Sequence, residues 1–425
     1  MNYRPSWRWA GLLLPLALHA QPSSPPDQPL SLQQTLQAAQ ENLEVALSRR
    51  NLAGAQADIL SADRAPLPVL SAGVSQIDLR NGNGGGRVLQ DRTYDKSLGL
   101  DWTWERGNKR ELRTLTAQRS ADAARAELDE TSLQQRVAAL AAFYELLAAQ
   151  ERVGEVGQLE RHAAELARIA ARRLQAGDLS AQDSARTEIE AERARAELRQ
   201  AELELQRAAL LLWQLTALGP EARQLLVRAD WPARADTAET VDLDALIEQR
   251  ADVRAARARV EAARAGLDSS SALKKSDITW GVAYSHYPGT STALMELRMS
   301  MPLQWGYAYQ GEIGRAGAQL GLAEDALEKT RRQARLELQD LQHTVRSTAE
   351  RTMAFEQEIL PRARRVAENA ELAYRRGALS LTELIDARRT LRITVLDAVA
   401  ARSAHAQALG AWQLRTGQPV AAARP

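Results

Sequence analysis

The chain contains no cysteine. That absence excludes a disulfide framework and a thiolate metal site, and with them a lipid anchor on an N-terminal Cys. Histidine is scarce, and His19, His162, His286, His343 and His405 lack metal-ligand spacing. No nucleophile stands beside a base, and no carboxylate pair marks a pocket, so neither catalysis nor a cofactor is expected. Only 2 Phe are present. Much of the apolar content is Ala and Leu, which favours close-packed helices over a thick aromatic core. An excess of one charge is missing too: 55 basic residues face 54 acidic ones, unlike the basic face of a nucleic-acid binder. Long hydrophobic runs are limited to 9–18, short of the roughly 20 residues that span a bilayer. Arg4 and Arg8 precede that run and His19-Ala20-Gln21 follows it. Residues 1–20 therefore read as a secretory signal cut after Ala20, although Leu18 is larger than such a site prefers. The competing reading is a short membrane anchor. An exported chain with no later apolar helix enters a membrane only as β-strands.

What is present is a duplication. Gln175-Ala-Gly177-Asp-Leu179-Ser180 returns as Arg375-Arg-Gly377-Ala-Leu379-Ser380, and Trp213-Gln-Leu215 as Trp412-Gln-Leu414. Leu36-Gln-Ala-Ala-Gln-Glu-Asn42-Leu43 is echoed by Leu246-Ile-Glu-Gln-Arg-Ala-Asp252-Val253. The unit is too long for a solenoid of small repeats and reads as a doubled half-protein. The expected division is a signal at 1–20, a first repeat at 21–220, a linker at 221–242, a second repeat at 243–418 and a tail at 419–425. Each repeat opens with a helix, 31–64 and 243–274. Leu32, Leu36, Leu43 and Leu47 recur at helical spacing in the first. Two strands follow, then a very long helix, 108–175 and 310–376, and a closing helix, 180–216 and 380–416. Rods of about 100 Å must pack side by side, in a coiled coil or a helical barrel. Pro361 predicts a notch in the second rod.

The strands are expected at 69–79 and 94–104, and at 278–287 and 294–303. Leu98, Leu100, Trp102 and Trp104 alternate with polar residues, as do Leu297, Met299, Met301 and Leu303. Of the 9 Trp and 8 Tyr, nine fall within 94–104 and 280–309. Among them Tyr94, Trp102, Trp104, Trp280, Tyr284 and Trp305 suit a membrane interface, where barrels carry aromatic girdles. A soluble hairpin packed on helices would use the same pattern as core. Four strands cannot close a membrane barrel, whose smallest bacterial examples have about 8; three chains would supply twelve. The glycine-rich stretch 81–87 lacks the Gly-Lys-Ser/Thr ending of a phosphate loop and reads as a hairpin loop.

At this point the chain resembles the TolC outer-membrane efflux family over nearly its whole length. The resemblance is carried by the Leu30-Ser-Leu-Gln-Gln-Thr-Leu-Gln-Ala-Ala-Gln-Glu-Asn42 opening and by Gly377-Ala-Leu-Ser-Leu-Thr-Glu-Leu-Ile-Asp-Ala-Arg388. Ile359-Leu-Pro361-Arg-Ala and Ala373-Tyr374 precede the latter. Ala251 stands where the family usually has Pro, a departure that touches helix geometry. Trp104-Glu-Arg-Gly107-Asn-Lys109-Arg110 and Gln310-Gly311-Glu312-Ile313 are similar to segments of the cation-efflux, cobalt–zinc–cadmium branch, with Arg106, Asn108 and 305–309 departing from it. The fold class implied is mainly α with a small membrane β-barrel, a trimeric 12-stranded barrel continued by a periplasmic α-helical barrel. The partners implied are two further copies, outer-membrane lipid, a periplasmic adaptor, and an inner-membrane pump of resistance-nodulation-division type. The role implied is an exit duct, with heavy-metal cations as cargo. Drug export or polypeptide secretion through the same fold remains open, as does an exported coiled-coil scaffold.

The hairpin tips are the candidate sites. Gly177 and Gly377 suit helix C-caps. Ser180 and Ser380 suit N-caps, with Asp183 and Glu383 three residues on. Plain, well-capped turns would account for all six. The resemblance adds adaptor docking at Gly177, Leu179, Ser180, Gly377, Leu379 and Ser380, and places Tyr374, Asp183, Glu383 and Asp386 at a periplasmic aperture. Glu383 and Asp386 share a helix face, so three chains would stack two carboxylate rings. A helix charge paired with Arg388 or Arg389 is the plainer reading of Asp386.

Overall fold

The computed structural model describes residues 29–86, 93–218, 226–232, 242–288 and 291–420. The expected signal and its cleavage site, most of the linker and the last tail residues lie outside these. The chain is mainly helical with one small sheet. The first repeat runs α1 (Leu32–Ala39), α2 (Leu43–Ala62), β1 (Val69–Ser75), β2 (Asp95–Trp104), α3 (Lys109–Gln175) and α4 (Ala181–Leu215). The second runs α5 (Leu243–Gln249), α6 (Ala251–Ala272), β3 (Ile278–Tyr287), β4 (Ser291–Ser300), α7 (Gln310–Met353), α8 (Leu360–Arg375) and α9 (Leu381–Arg415).

Each opening helix is two helices, a departure from the single rods expected. In the first repeat Asn42 takes extended backbone and its side chain accepts from Val45 N–H, starting α2 afresh. The break changes the helical phase. Leu32 and Leu36 stay buried, while Leu43 and Leu47 turn outward. In the second repeat Arg250 is the extended residue between α5 and α6. The helix therefore breaks there with Ala251 in first position, where proline is common.

Buried alanines let the rods approach closely. Ala139, Ala142, Ala148 and Ala149 of α3 are all buried. Two apolar clusters repeat the duplication. One gathers Leu140, Phe143, Leu146 and Leu212 with Leu36 and Val227. The other gathers Val253, Leu338, Leu409 and Trp412 with Ile247 and Val345. The inter-repeat segment is tied back by a parallel bridge, with Leu30 N–H donating to Leu226 O at 2.9 Å and Arg228 N–H to Leu30 O at 3.1 Å.

The second long helix is notched where expected. A π-helical turn, Ala354–Ile359, lies just before Pro361, which sits in the first turn of α8. Proline lacks the N–H of a regular helix and its ring crowds the carbonyl four residues back. One wide turn absorbs that mismatch without breaking the rod.

The sheet has the order β1-β2-β3-β4, antiparallel throughout. β1 stops at Ser75, earlier than expected, because Gln76 takes φ 59°, outside extended geometry. β4 is shifted three residues toward the N-terminus and ends before Pro302, which cannot donate to a ladder. Registry aligns Leu70, Leu100, Val282 and Leu297 in one row, and Trp102, Trp280 and Met299 in the next. Apart from the Lys96–His286 pair at the loop end, that face is apolar and largely exposed, with Leu70, Met295 and Leu297 about 70% accessible. The opposite face is mostly small or polar, with Ser71, Gly73, Ser97, Gly99, Thr103, Thr279, Ala283 and Ser285, and carries Val69, Tyr287 and Leu294 toward strand ends. β1 and β4 are the sheet's outer strands within the chain. Among the described residues no helix is long and apolar enough to cross a membrane.

Candidate functional site

The two helical hairpins, α3–α4 and α8–α9, end in turns built alike. At the first, Gly177 takes φ 82°; its N–H donates to Leu174 O at 3.0 Å, and Asp178 N–H donates to Arg173 O at 2.8 Å. At the second, Gly377 takes φ 74° and donates to Tyr374 O at 3.0 Å, while Ala378 N–H reaches Ala373 O at 2.9 Å. Both are Schellman closures, which need a left-handed residue at the glycine position. Ser180 and Ser380 then cap the returning helices. Ser180 Oγ accepts from Asp183 N–H at 3.1 Å and donates to its carboxylate at 2.7 Å.

The Ser380 turn goes one bond further. Its Oγ accepts from Glu383 N–H at 3.3 Å, and the Glu383 carboxylate takes both Ser380 Oγ–H at 2.7 Å and Ser380 N–H at 3.0 Å. This is a complete capping box. The Ser380 hydroxyl and backbone N–H hold the Glu383 carboxyl below its ordinary pKa. Asp183 is one methylene shorter, and its carboxylate stops at the hydroxyl. The two carboxylates expected to act as equals therefore differ: Glu383 is folded back on its own turn, whereas Asp386 is exposed. Asp386 pairs with neither Arg388 nor Arg389. Arg388 turns instead to Glu371 at 3.2 Å and to His162 O at 3.4 Å. Leu179 and Leu379 are half-buried rather than fully exposed, and Tyr374 is half-buried one turn above the tip.

Sequence reasoning missed how the hairpins are joined. Arg392 Nη1 lies 2.9 Å from both oxygens of Glu197, and Arg186 Nη1 donates to Thr382 Oγ1 at 3.0 Å. Between them lies a cavity of about 360 Å³ lined in part by His162, Thr187, Glu371, Ile385 and Arg388. Nothing local signals these pairs, because their partners come from opposite repeats.

The aromatics expected at an interface separate into two groups. Trp102, Trp104, Tyr284 and Trp305 are exposed and Trp280 is half-buried. Tyr94 departs from the set: it is buried beneath Lys96, whose Nζ sits 4.8 Å from the ring centroid.

No family model matches the chain. It is similar to the cobalt-zinc-cadmium resistance protein CzcC of Cupriavidus metallidurans, 24% identical over 368 residues that cover 85% of this chain and 84% of that protein. Its fold matches the outer membrane protein VceC from Vibrio cholerae with a TM-score of 0.75 and 19% identity, over 92% of this chain and 97% of that one. The CusC structure matches with a TM-score of 0.75 and 16% identity, over 98% and 99%. The chain has the fold of these outer-membrane proteins, and in sequence it is similar to a protein named for cobalt, zinc and cadmium resistance.

Proposed function

We propose that three copies of this chain join their sheets into one twelve-stranded barrel in the outer membrane and form the exit duct of an efflux system, catalysing nothing themselves. The observation that carries this reading is the sheet. One face is largely apolar and exposed, the other mostly small and polar, and its outer strands belong to a chain with too few strands to close alone. The helices hanging from it are long enough to line a periplasmic tunnel. Fractionation and planar-bilayer recording test the duct together. Cofractionation with outer-membrane porins and discrete conductance steps are expected; a soluble, non-conducting product would overturn it.

The tips are the proposed contact with a periplasmic adaptor, which in turn engages an inner-membrane pump that supplies the energy. Support comes from the two Gly-x-Leu-Ser turns being built alike, each leaving its leucine only half covered within the chain. Leu379→Asp is expected to abolish adaptor copurification while leaving trimer yield unchanged; recovery of adaptor at the wild-type level would sink the docking role.

Asp386 is the proposed aperture carboxylate, with Asp183, Tyr374 and Glu383 beside it. Three converging anions repel unless a cation or a partner compensates. Because Glu383 is committed to its capping box, Asp386→Asn alone is expected to remove most of the mouth's cation preference, and Glu383→Gln less. Equal effects in single-channel recordings would return Glu383 to the ring. Heavy-metal cations are the proposed cargo, supported by likeness to a protein named for cobalt, zinc and cadmium resistance. Metal selection then belongs to the pump.

A further inference from the structure

Three charged side chains occupy the middle of the sheet's polar face. Asp101 on β2, Gly281 on β3 and Arg298 on β4 stand side by side in one row of the register. Gly281 is the opening that joins its neighbours: a Cβ there would collide with Asp101 Oδ1 and come within 3.2 Å of Arg298 Nη2. Across that gap Arg298 Nη2 reaches Asp101 Oδ1 at 2.7 Å, so the pair lies flat over the middle strand. Glu296, the next position on the same face of β4, stands 3.9 Å from Arg298 Nη1 and is about half exposed. Apart from Asp95 at the loop end of β2, the remaining paired positions on this face are neutral.

We infer that Asp101, Glu296 and Arg298 form a charge belt inside the barrel and set its preference for small cations over anions. The inference rests on the barrel reading above, in which this face looks into the lumen. Arg298 cancels one carboxylate, Asp101, and holds it against the wall. Glu296 supplies the charge left over. Each chain then contributes one net negative charge, and three chains close a ring of them. Fixed charge on a low-dielectric wall raises the local concentration of counter-ions. The bridge over Gly281 is what keeps the guanidinium on the wall and out of the path.

The test is a charge series read as the potassium-to-chloride permeability ratio at low salt. It is run in trimers carrying Glu383→Gln and Asp386→Asn, so that the mouth does not set the ratio. Glu296→Gln and Asp101→Asn each bring the belt to neutrality, and each is expected to lower the ratio about twofold or more. Arg298→Gln leaves two carboxylates uncancelled and raises it. The double variant Asp101→Asn with Arg298→Gln restores one net negative charge and returns the ratio toward the parent value. Glu296→Gln leaves the bridge intact, so it carries the test even where variants at the bridge fail to assemble. Conducting Glu296→Gln trimers with the parent ratio overturn the belt. A wild-type chain that forms no channel overturns the duct itself, a separate outcome.

Discussion

Replacing Arg250 with alanine is expected to cost about 3 kcal/mol of stability, the upper end for losing charge-assisted hydrogen bonds from a buried group. Arg250 fills the break between α5 and α6 with its side chain only 1% exposed. Its guanidinium meets Asp252 at 2.8 Å and Glu337 at 2.5 Å. Glu337 also receives Arg415 at 3.1 Å, and Arg415 reaches Glu130 at the same distance. One cation thus anchors α6 and α7 and, through Glu337 and Arg415, the end of α9 and the first third of α3. Alanine would remove the buried guanidinium and leave the partly exposed Asp252 and Glu337 with less positive charge to answer them. The first repeat supplies an internal reference. There Asn42 holds the corresponding break and donates to the neutral Gln135 at 2.7 Å and Leu215 O at 3.5 Å, so Asn42→Ala is expected to cost only about 1–2 kcal/mol, a cap and its neutral bonds. Urea unfolding followed by far-UV circular dichroism measures both. Equal losses would show that the charged node adds nothing to stability over the neutral one.

A second large effect is expected where α9 crosses α3. A Cβ on Gly410 would stand 2.5 and 2.7 Å from the two methyls of Leu140, and Leu140 is completely buried. The methyls have nowhere to retreat. Gly410→Ala is expected to cost about 1–3 kcal/mol by overpacking, and Gly410→Leu to prevent α9 from docking, leaving little folded protein. Leu140→Ala alone opens a cavity and is expected to cost about 2–5 kcal/mol. Combining it with Gly410→Ala puts a methyl into the vacated space. The double variant should therefore lose at least about 1 kcal/mol less than the two single losses together. Strict additivity would show that the two positions do not share this space.

Much of this architecture is legible in the sequence because it is written twice or with a strong period. The Gly-x-Leu-Ser turns, the strand alternation and the proline notch each rest on a residue type with one dominant physical consequence. The helix breaks are different. A pattern averaged over a dozen residues does not register a change of phase across Gln40, Glu41 and Asn42, so Leu43 and Leu47 read as core. The early end of β1 depends on the backbone of Gln76, a residue with no turn preference strong enough to announce it. At the tips the residue types were readable but their division of labour was not. One methylene separates Glu383, long enough to reach the Ser380 N–H, from Asp183, which is not. The pairing of Arg392 with Glu197 links two long polar faces, where many other partners would fit the sequence equally well.

The notch before Pro361 has no counterpart in α3, whose 67 residues run as one uninterrupted α-helix. In the proposed assembly of three chains, six hairpins stand around the axis, yet only alternate ones contain the wide turn. The tunnel wall is then sixfold in outline and threefold in mechanics, with plain staves and jointed staves in turn. A twist applied at the periplasmic rim would concentrate its bending at three points around the wall, all at one height, rather than spreading over six staves, and the plain staves between them would hold the circumference.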